Sequence, residues 1–224
     1  RKNKIIYLDN AATTPLLPEV ITAISESLST NFGNPSSIHT LGRAASQIVR
    51  KSRETVATAL EVPSRNIIFT TGASEANNQA LIGYALANRD KGNHIITTKI
   101  EHHAILHTGD YLEKNGYEVT YLDVDENGVV KLEELKAAIR PTTILISVMY
   151  ANNEIGTIQP IKEIGEIAHE HGILFHTDAV QAFGQVPINV DECHVDMLSA
   201  SGHKLNGPKG IGFLYIRKGV KIRS

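Results

Sequence analysis

From about Asn66 onward the chain alternates short β-branched runs with helix-length segments, and this alternation limits the fold more than any other feature. The runs cover 67–71, 94–98, 119–123, 143–149, 173–177, 195–199 and 211–216. Several are apolar at every position, as strands covered by helices on both faces must be. The segments 75–88, 103–115, 132–139 and 161–171 read as helices. Gly92, Gly116 and Gly172 read as helix stops, and Pro160 precedes the last helix. Such regular alternation predicts an α/β fold with a doubly wound, mostly parallel sheet of seven strands. No helix separates 195–199 from 211–216, so the sheet is expected to be mixed there. The first 65 residues differ. Two amphipathic helices, 19–29 and 38–60, flank a loop at 31–37 rich in Asn, Gly and Ser, a composition suited to lining a site.

The 224 residues suffice for one large α/β domain, or a domain plus a small piece of another. A net charge of −2 supplies no broad basic face, so neither nucleic acid nor an anionic membrane is expected as a partner. The apolar stretch 143–150 is strand-length and too short to span a bilayer. The start, Arg1-Lys2-Asn3-Lys4-Ile5-Ile6-Tyr7, is basic but lacks the apolar core and cleavage site of a signal peptide. The single cysteine, Cys193, excludes an internal disulfide and points to a reducing, cytoplasmic location.

In open α/β sheets, ligands bind beyond the carboxyl ends of the strands. Five predicted strand ends carry polar groups: Thr71-Gly72-Ala73-Ser74, Glu101-His102-His103, Asn152-Asn153-Glu154, Asp178-Ala179-Val180-Gln181 and Ser201-Gly202-His203-Lys204. In the first, Gly72 permits a tight turn, Ser74 suits a helix N-cap, and the open N–H groups of the first turn can bind a phosphate. Taken alone, the plainer reading is a capped turn without ligand. Asp178 closes an apolar strand, where a buried carboxylate needs a cation or several hydrogen bonds. A protonated pyridine nitrogen would serve, as would a role capping the next segment. Gln181 is placed to donate to a phenolic oxygen. His102 can stack a neutral imidazole on an aromatic ring, or simply start a helix. His103 and His107 are four apart on one helix face, but Ala104 stands where the zinc-protease pattern needs Glu, so no metal site is expected. Lys204 lies in a turn among glycines and a proline. Burial and nearby cations would lower its pKa and let it form a Schiff base, while the plainer alternative is a surface turn. Lysine, pyridine-nitrogen acid, stacking ring, phenolate partner and phosphate cup are together the parts that pyridoxal 5'-phosphate (PLP) requires.

These stretches resemble the cysteine desulfurases of the iron–sulfur-cluster assembly and nitrogen-fixation type, transferases of the class V aminotransferase group. The resemblance is carried by Tyr7-Leu8-Asp9-Asn10-Ala11-Ala12-Thr13-Thr14, the loop from Asn31 to His39, Phe69 to Asn78, Glu101-His102, Asn152-Asn153-Glu154-Ile155-Gly156, His176 to Gln181 and Ser201 to Lys204, all in the family's order. It implies the three-layer α/β/α large domain of the aspartate-aminotransferase-like fold. Residues 1–15 would be an N-terminal segment and 16–224 the PLP-binding large domain, with the C-terminal small domain absent. Lys204 would carry the cofactor and later shuttle protons, with His102 stacking and acting in acid–base steps. Asp178 would pair with the pyridinium and Gln181 with the phenolic oxygen. Ala73, Ser74, Ser201 and His203 would hold the phosphate, and Asn153 would lie near the cofactor and the substrate carboxylate. The implied reaction takes sulfur from L-cysteine, giving L-alanine and an enzyme persulfide for iron–sulfur cluster assembly. A homodimer and a scaffold or sulfur-acceptor protein are the implied partners. Asn-Asn-Glu-Ile-Gly resembles the iron–sulfur branch rather than the one shared with selenocysteine lyases.

The family's nucleophilic cysteine and its carboxylate-gripping arginine lie well after the lysine, and the sequence stops at Ser224. The chain is therefore expected to be a fragment that cannot release sulfur alone, with Cys193 structural. Two alternatives stand: another enzyme of the same fold, such as an aminotransferase or selenocysteine lyase, and a cofactor-binding or dimerising scaffold.

Overall fold

A computed structural model describes residues 5–223. The basic start at Arg1 to Lys4 and the last residue, Ser224, lie outside the described residues. The predicted runs become seven strands: β1 (Ile67–Thr70), β2 (His94–Thr98), β3 (Glu118–Leu122), β4 (Thr143–Ser147), β5 (Leu174–Asp178), β6 (Met197–Ser201) and β7 (Gly212–Ile216). Six helices accompany them: α1 (Pro18–Thr30), α2 (Thr40–Ala59), α3 (Ala73–Ala87), α4 (His103–Lys114), α5 (Leu132–Ala138) and α6 (Ile161–Glu170).

The strands form one sheet in the order β1-β7-β6-β5-β4-β2-β3. The five from β3 to β6 are parallel, while β7 runs antiparallel to both β6 and β1. The sheet is mixed at the predicted place, because β6 and β7 are joined without a crossover helix. Strand order reverses at the β2–β4 pair, and a crevice opens at such a point beyond the carboxyl ends.

Successive side chains on a strand point to opposite faces, so each run divides between two cores. Leu145, Leu174, Met197 and Leu214 pack under α3 with Ala76, Ala80 and Leu81. Their neighbours Ile146, Phe175, Leu198 and Tyr215 pack on the other face with Leu135 of α5, Ile164 and Ala168 of α6, and Ala57 of α2. This is the three-layer sandwich that strands apolar on both faces demand.

Some boundaries differ from expectation. The sixth strand runs to Ser201, two residues beyond the predicted end. Val195 is buried but its N–H turns back to Val190 O, so apolar character alone did not mark where pairing begins. Gly92 does not stop α3. The helix ends at Ala87, where buried Asn88 donates to Tyr84 O and Lys221 O. Gly116 and Gly172 do follow helix ends in the left-handed conformation, at φ 84° and 65°. Helix α1 buries no residue. Among the described residues, no helix is long and apolar enough to cross a membrane.

Candidate active site

Strand alternation assigns the site its floor. Leu174, His176 and Asp178 share the α3 face of β5, and Met197, Ser199 and Ser201 share that face of β6. Asp178 is 5% exposed. Its Oδ2 accepts a hydrogen bond from Asn77 Nδ2 of α3 at 2.8 Å, and its Oδ1 accepts one from Val180 N at 3.0 Å. Burial raises its pKa against those bonds and against the charges of His102 and Lys204. The carboxylate thus has two neutral donors and no cation bonded to it, short of what its burial calls for.

One cavity of about 700 Å³ lies over this floor, within the range of small-molecule sites. Ala73, Ser74, His102, Asn153, Asp178, Gln181, Ser201, His203 and Lys204 all line it. All nine residues singled out in the sequence therefore meet at the carboxyl edge.

Lys204 ends a 3-10 turn, Gly202–Lys204, that leaves β6 directly. Its Nζ donates to Ala12 O at 2.8 Å and also to Ala11 O. Burial lowers its pKa, opposed by the charges of Asp9 and Asp178. The neighbouring His203 has its Nδ1 3.1 Å from Thr13 Oγ1, and its pKa is lowered by burial and by Lys204 and Lys209. Gln181 Nε2 donates to Ala11 O at 2.9 Å. The turn at Ala11 and Ala12 is thus held by two residues the sequence reading assigned to a cofactor.

Ser74 is not the helix cap expected of it. The N-cap of α3 is Gly72, at φ 155° and ψ −177°, a region open essentially to glycine alone. Ser74 is the second helical residue and makes no capping bond. The reach-back comes instead from Glu75, whose carboxylate accepts from Thr71 N at 2.6 Å and Thr71 Oγ1 at 2.5 Å. The first-turn residues Ala73, Ser74 and Glu75 line the cavity, and their N–H groups have no carbonyl partner within the helix, so an anion there would not need that cap. His102 is the N-cap of α4, its Nδ1 accepting from Ala104 N at 3.1 Å. It both starts a helix and lines the cavity. No group of three or more His, Cys, Asp or Glu among the described residues is placed to hold a metal ion. Cys193 is buried in the core on the α6 face and does not line the cavity.

Sequence reasoning gave no role to Asn77, Asp9 or Lys209, and it noted Glu101 only as a polar group at a strand end. Asp9 and Lys209 line the cavity, and buried Glu101 joins Thr98 to Met149 N. Asn77 falls on the same stripe of α3 as Ala73 and Ala80, a spacing that marks it as sheet-facing.

The strand order and the layering, with a lysine and a buried acid facing one cavity at the carboxyl edge, define a protein of the aspartate-aminotransferase-like fold. More narrowly, the chain belongs to the Aminotransferase class-V family, whose profile matches residues 6–223. It is 58% identical over 221 residues to the cysteine desulfurase IscS of Methanosarcina thermophila, covering 99% of this chain and 55% of that protein. A solved NifS-like protein superposes with a TM-score of 0.96 at 43% identity, over 98% of this chain and 61% of the other. A structure of SspA in complex with cysteine superposes with a TM-score of 0.93 at 44% identity, over 96% and 62%. The chain spans about half the length of the curated relatives it matches. The family implies PLP as cofactor. Asp178 fits that group, since a pyridinium nitrogen is the cation its buried carboxylate lacks.

Proposed function

We propose that this chain is the PLP-holding part of a cysteine desulfurase, a transferase that takes sulfur from L-cysteine and leaves L-alanine. The observation that carries the reading is that Lys204 and buried Asp178 line one cavity. PLP bound there supplies an electron sink. Lys204, its amine made less basic by burial, is the residue to hold the aldehyde. Asp178 would face the ring nitrogen and His102 the ring. Gln181 would exchange Ala11 O for the phenolic oxygen. The first turn of α3 at Ala73 and Ser74, with Ser201 and His203, would hold the phosphate. Asn153 would sit by the substrate carboxylate. Burial shifts His203 and Lys204 toward their neutral forms, the forms that can accept a proton.

The choice of L-cysteine rests on the names of the relatives and on the cysteine-bound neighbour. The same names support an acceptor among iron–sulfur scaffold or other sulfur-carrying proteins. We place the whole protein in the reducing cytoplasm as a homodimer. One cysteine in 224 residues and the exposed apolar side chains of the N-terminal helices support those readings. The test is to give the PLP-loaded whole protein L-cysteine, L-selenocysteine, or an amino acid with a 2-keto acid. Alanine with sulfide from cysteine as the preferred substrate is expected. Amino transfer to the keto acid, or a preference for selenocysteine, would overturn the reading in favour of another enzyme of this fold.

A further inference from the structure

Glu101 joins β2 to α4 and is 5% exposed. Its Oε1 accepts from Thr98 Oγ1 at 2.9 Å and from Met149 N at 2.9 Å. It therefore ties the carboxyl ends of β2 and β4 together, directly before His102 and beside Met149, both of which line the cavity. Its Oε2 is buried and has no partner. A second orphan oxygen belongs to Asn77, which bonds Asp178, the charged group that acts on Glu101. Asn77 is 1% exposed and gives its Nδ2 to Asp178, while its Oδ1 is buried without a donor. A buried acceptor left unpaired costs about 1–3 kcal/mol, and a buried, unpaired anion considerably more. If Glu101 were ionised, both orphans would be acceptors and neither could serve the other. A single proton on Oε2 makes it the donor that Asn77 Oδ1 needs.

We propose that Glu101 is a positioning residue that works as a neutral carboxylic acid, clamping β2 to β4 through Oε1 and donating from Oε2 to Asn77 Oδ1. Asn77 is then fixed in the amide orientation that aims its Nδ2 at Asp178. That bond would join the three side chains into one line, from the strand edge carrying His102 to the acid on the cavity floor, with its only formal charge on Asp178. Burial, and then the charge of Asp178, push the Glu101 carboxyl up to about 8, against its bonds from Met149 and Thr98. Asp178 is the charged group that acts on Glu101. His102 and Lys204 act on Asp178 from the α4 start and the turn after β6.

The experiment uses the cofactor-free protein, so its result is independent of the cofactor reading. The Glu101 carboxyl carbon is observed by NMR in ¹³C-glutamate-labelled protein and assigned by its loss in Glu101→Gln. It is expected to titrate near pH 8, and at lower pH in Asp178→Asn, where the neighbouring charge is gone. Titration in the ordinary glutamate range, or no response to Asp178→Asn, would overturn the proposal. Urea unfolding supplies a second arm. A carboxyl whose pKa is raised on folding contributes stability that is complete below its unfolded pKa and lost as pH rises through its folded pKa. Glu101→Gln keeps an Oε1 acceptor and places a donor at Oε2, so it should match the parent at pH 5 and be the more stable at pH 8.5. A loss of stability equal at both pH values would contradict the neutral-acid role. Glu101→Leu, which has neither group, should be destabilised at both.

Discussion

Asp178 illustrates how one residue sets the terms for a site. It lies at the carboxyl end of a strand whose other side chains are all buried, and it receives two hydrogen bonds but no cation. Its pKa is raised on folding, so the stability it allows is fullest below its unfolded pKa and declines as pH rises through its folded pKa. Asp178→Asn should therefore flatten the pH dependence of urea unfolding above pH 4. The same change should weaken PLP binding at least about tenfold, since each tenfold corresponds to about 1.4 kcal/mol and a buried ion pair that loses one partner costs more than that. Fluorescence titration with PLP checks the second point. Cys193 makes the opposite case. Its thiol is buried in the α6-side core, and burial raises its pKa. Cys193→Ala should leave PLP binding unchanged while costing about 1 kcal/mol of stability, measured by urea unfolding. Lys204, Asp178 and His102 were legible in the sequence because each is a titratable side chain at a predicted strand end. Asn77 was not, and Glu101 was noted at its strand end without a role. One is an uncharged helix residue and the other the less conspicuous half of Glu101-His102, and both act through hydrogen bonds that only the packing of α3, β2 and β4 brings about.

At the scale of elements, the proposed anion cup at the start of α3 depends on backbone more than on side chains. A Cβ at Gly72 would meet nothing within 4 Å, so Gly72→Ala carries the conformational cost alone, on the order of 1–3 kcal/mol. Gly212 of β7 backs the same turn. A Cβ there would stand 2.5 Å from Ala200 O and 2.8 Å from the Gly72 carbonyl carbon. Gly212→Ala should cost more stability than Gly72→Ala, and both should weaken phosphate binding; urea unfolding and competition of inorganic phosphate with PLP would measure the two effects. Across the middle of the sheet, His176 of β5 bridges Ser147 of β4 at 2.8 Å and Ser199 of β6 at 2.9 Å. Burial lowers its pKa from 6.5 to about 3. A base depressed in this way contributes stability that is complete above its unfolded pKa and lost as pH falls toward its folded pKa. The protein should lose on the order of 4 kcal/mol between pH 6.5 and pH 3 from this residue, and His176→Gln should remove most of that slope in acid unfolding. The strands themselves were readable because each is a short β-branched run, most of them between helix patterns, whereas their order in the sheet was not read from the sequence. Their ends were less readable, since hydrogen-bond pairing rather than apolar character decides where β4 and β6 begin and stop.

The molecule as a whole is a sandwich with one unpartnered side. Phe32 is 74% exposed and Ile38 91%, and α1 buries nothing, whereas α3 and α6 are buried along one face. Apolar side chains left out in this number support the homodimer reading. On the homodimer reading, sedimentation should give twice the mass of the chain, and Phe32→Glu with Ile38→Glu should shift the protein to monomer without altering its far-ultraviolet circular dichroism. A parent protein that sediments as a monomer would remove that reading and leave the cavity untouched. The claim on which everything else depends is chemical: the amine of Lys204 holds the aldehyde of PLP above Asp178. It is tested most directly by adding PLP to the protein, reducing with borohydride, and locating the modified residue by peptide mass spectrometry. A phosphopyridoxyl group on Lys204 is predicted, with the visible absorbance of the unreduced complex lost in Lys204→Ala. Modification of Lys209, which lines the same cavity, or of no lysine in it, would contradict the account.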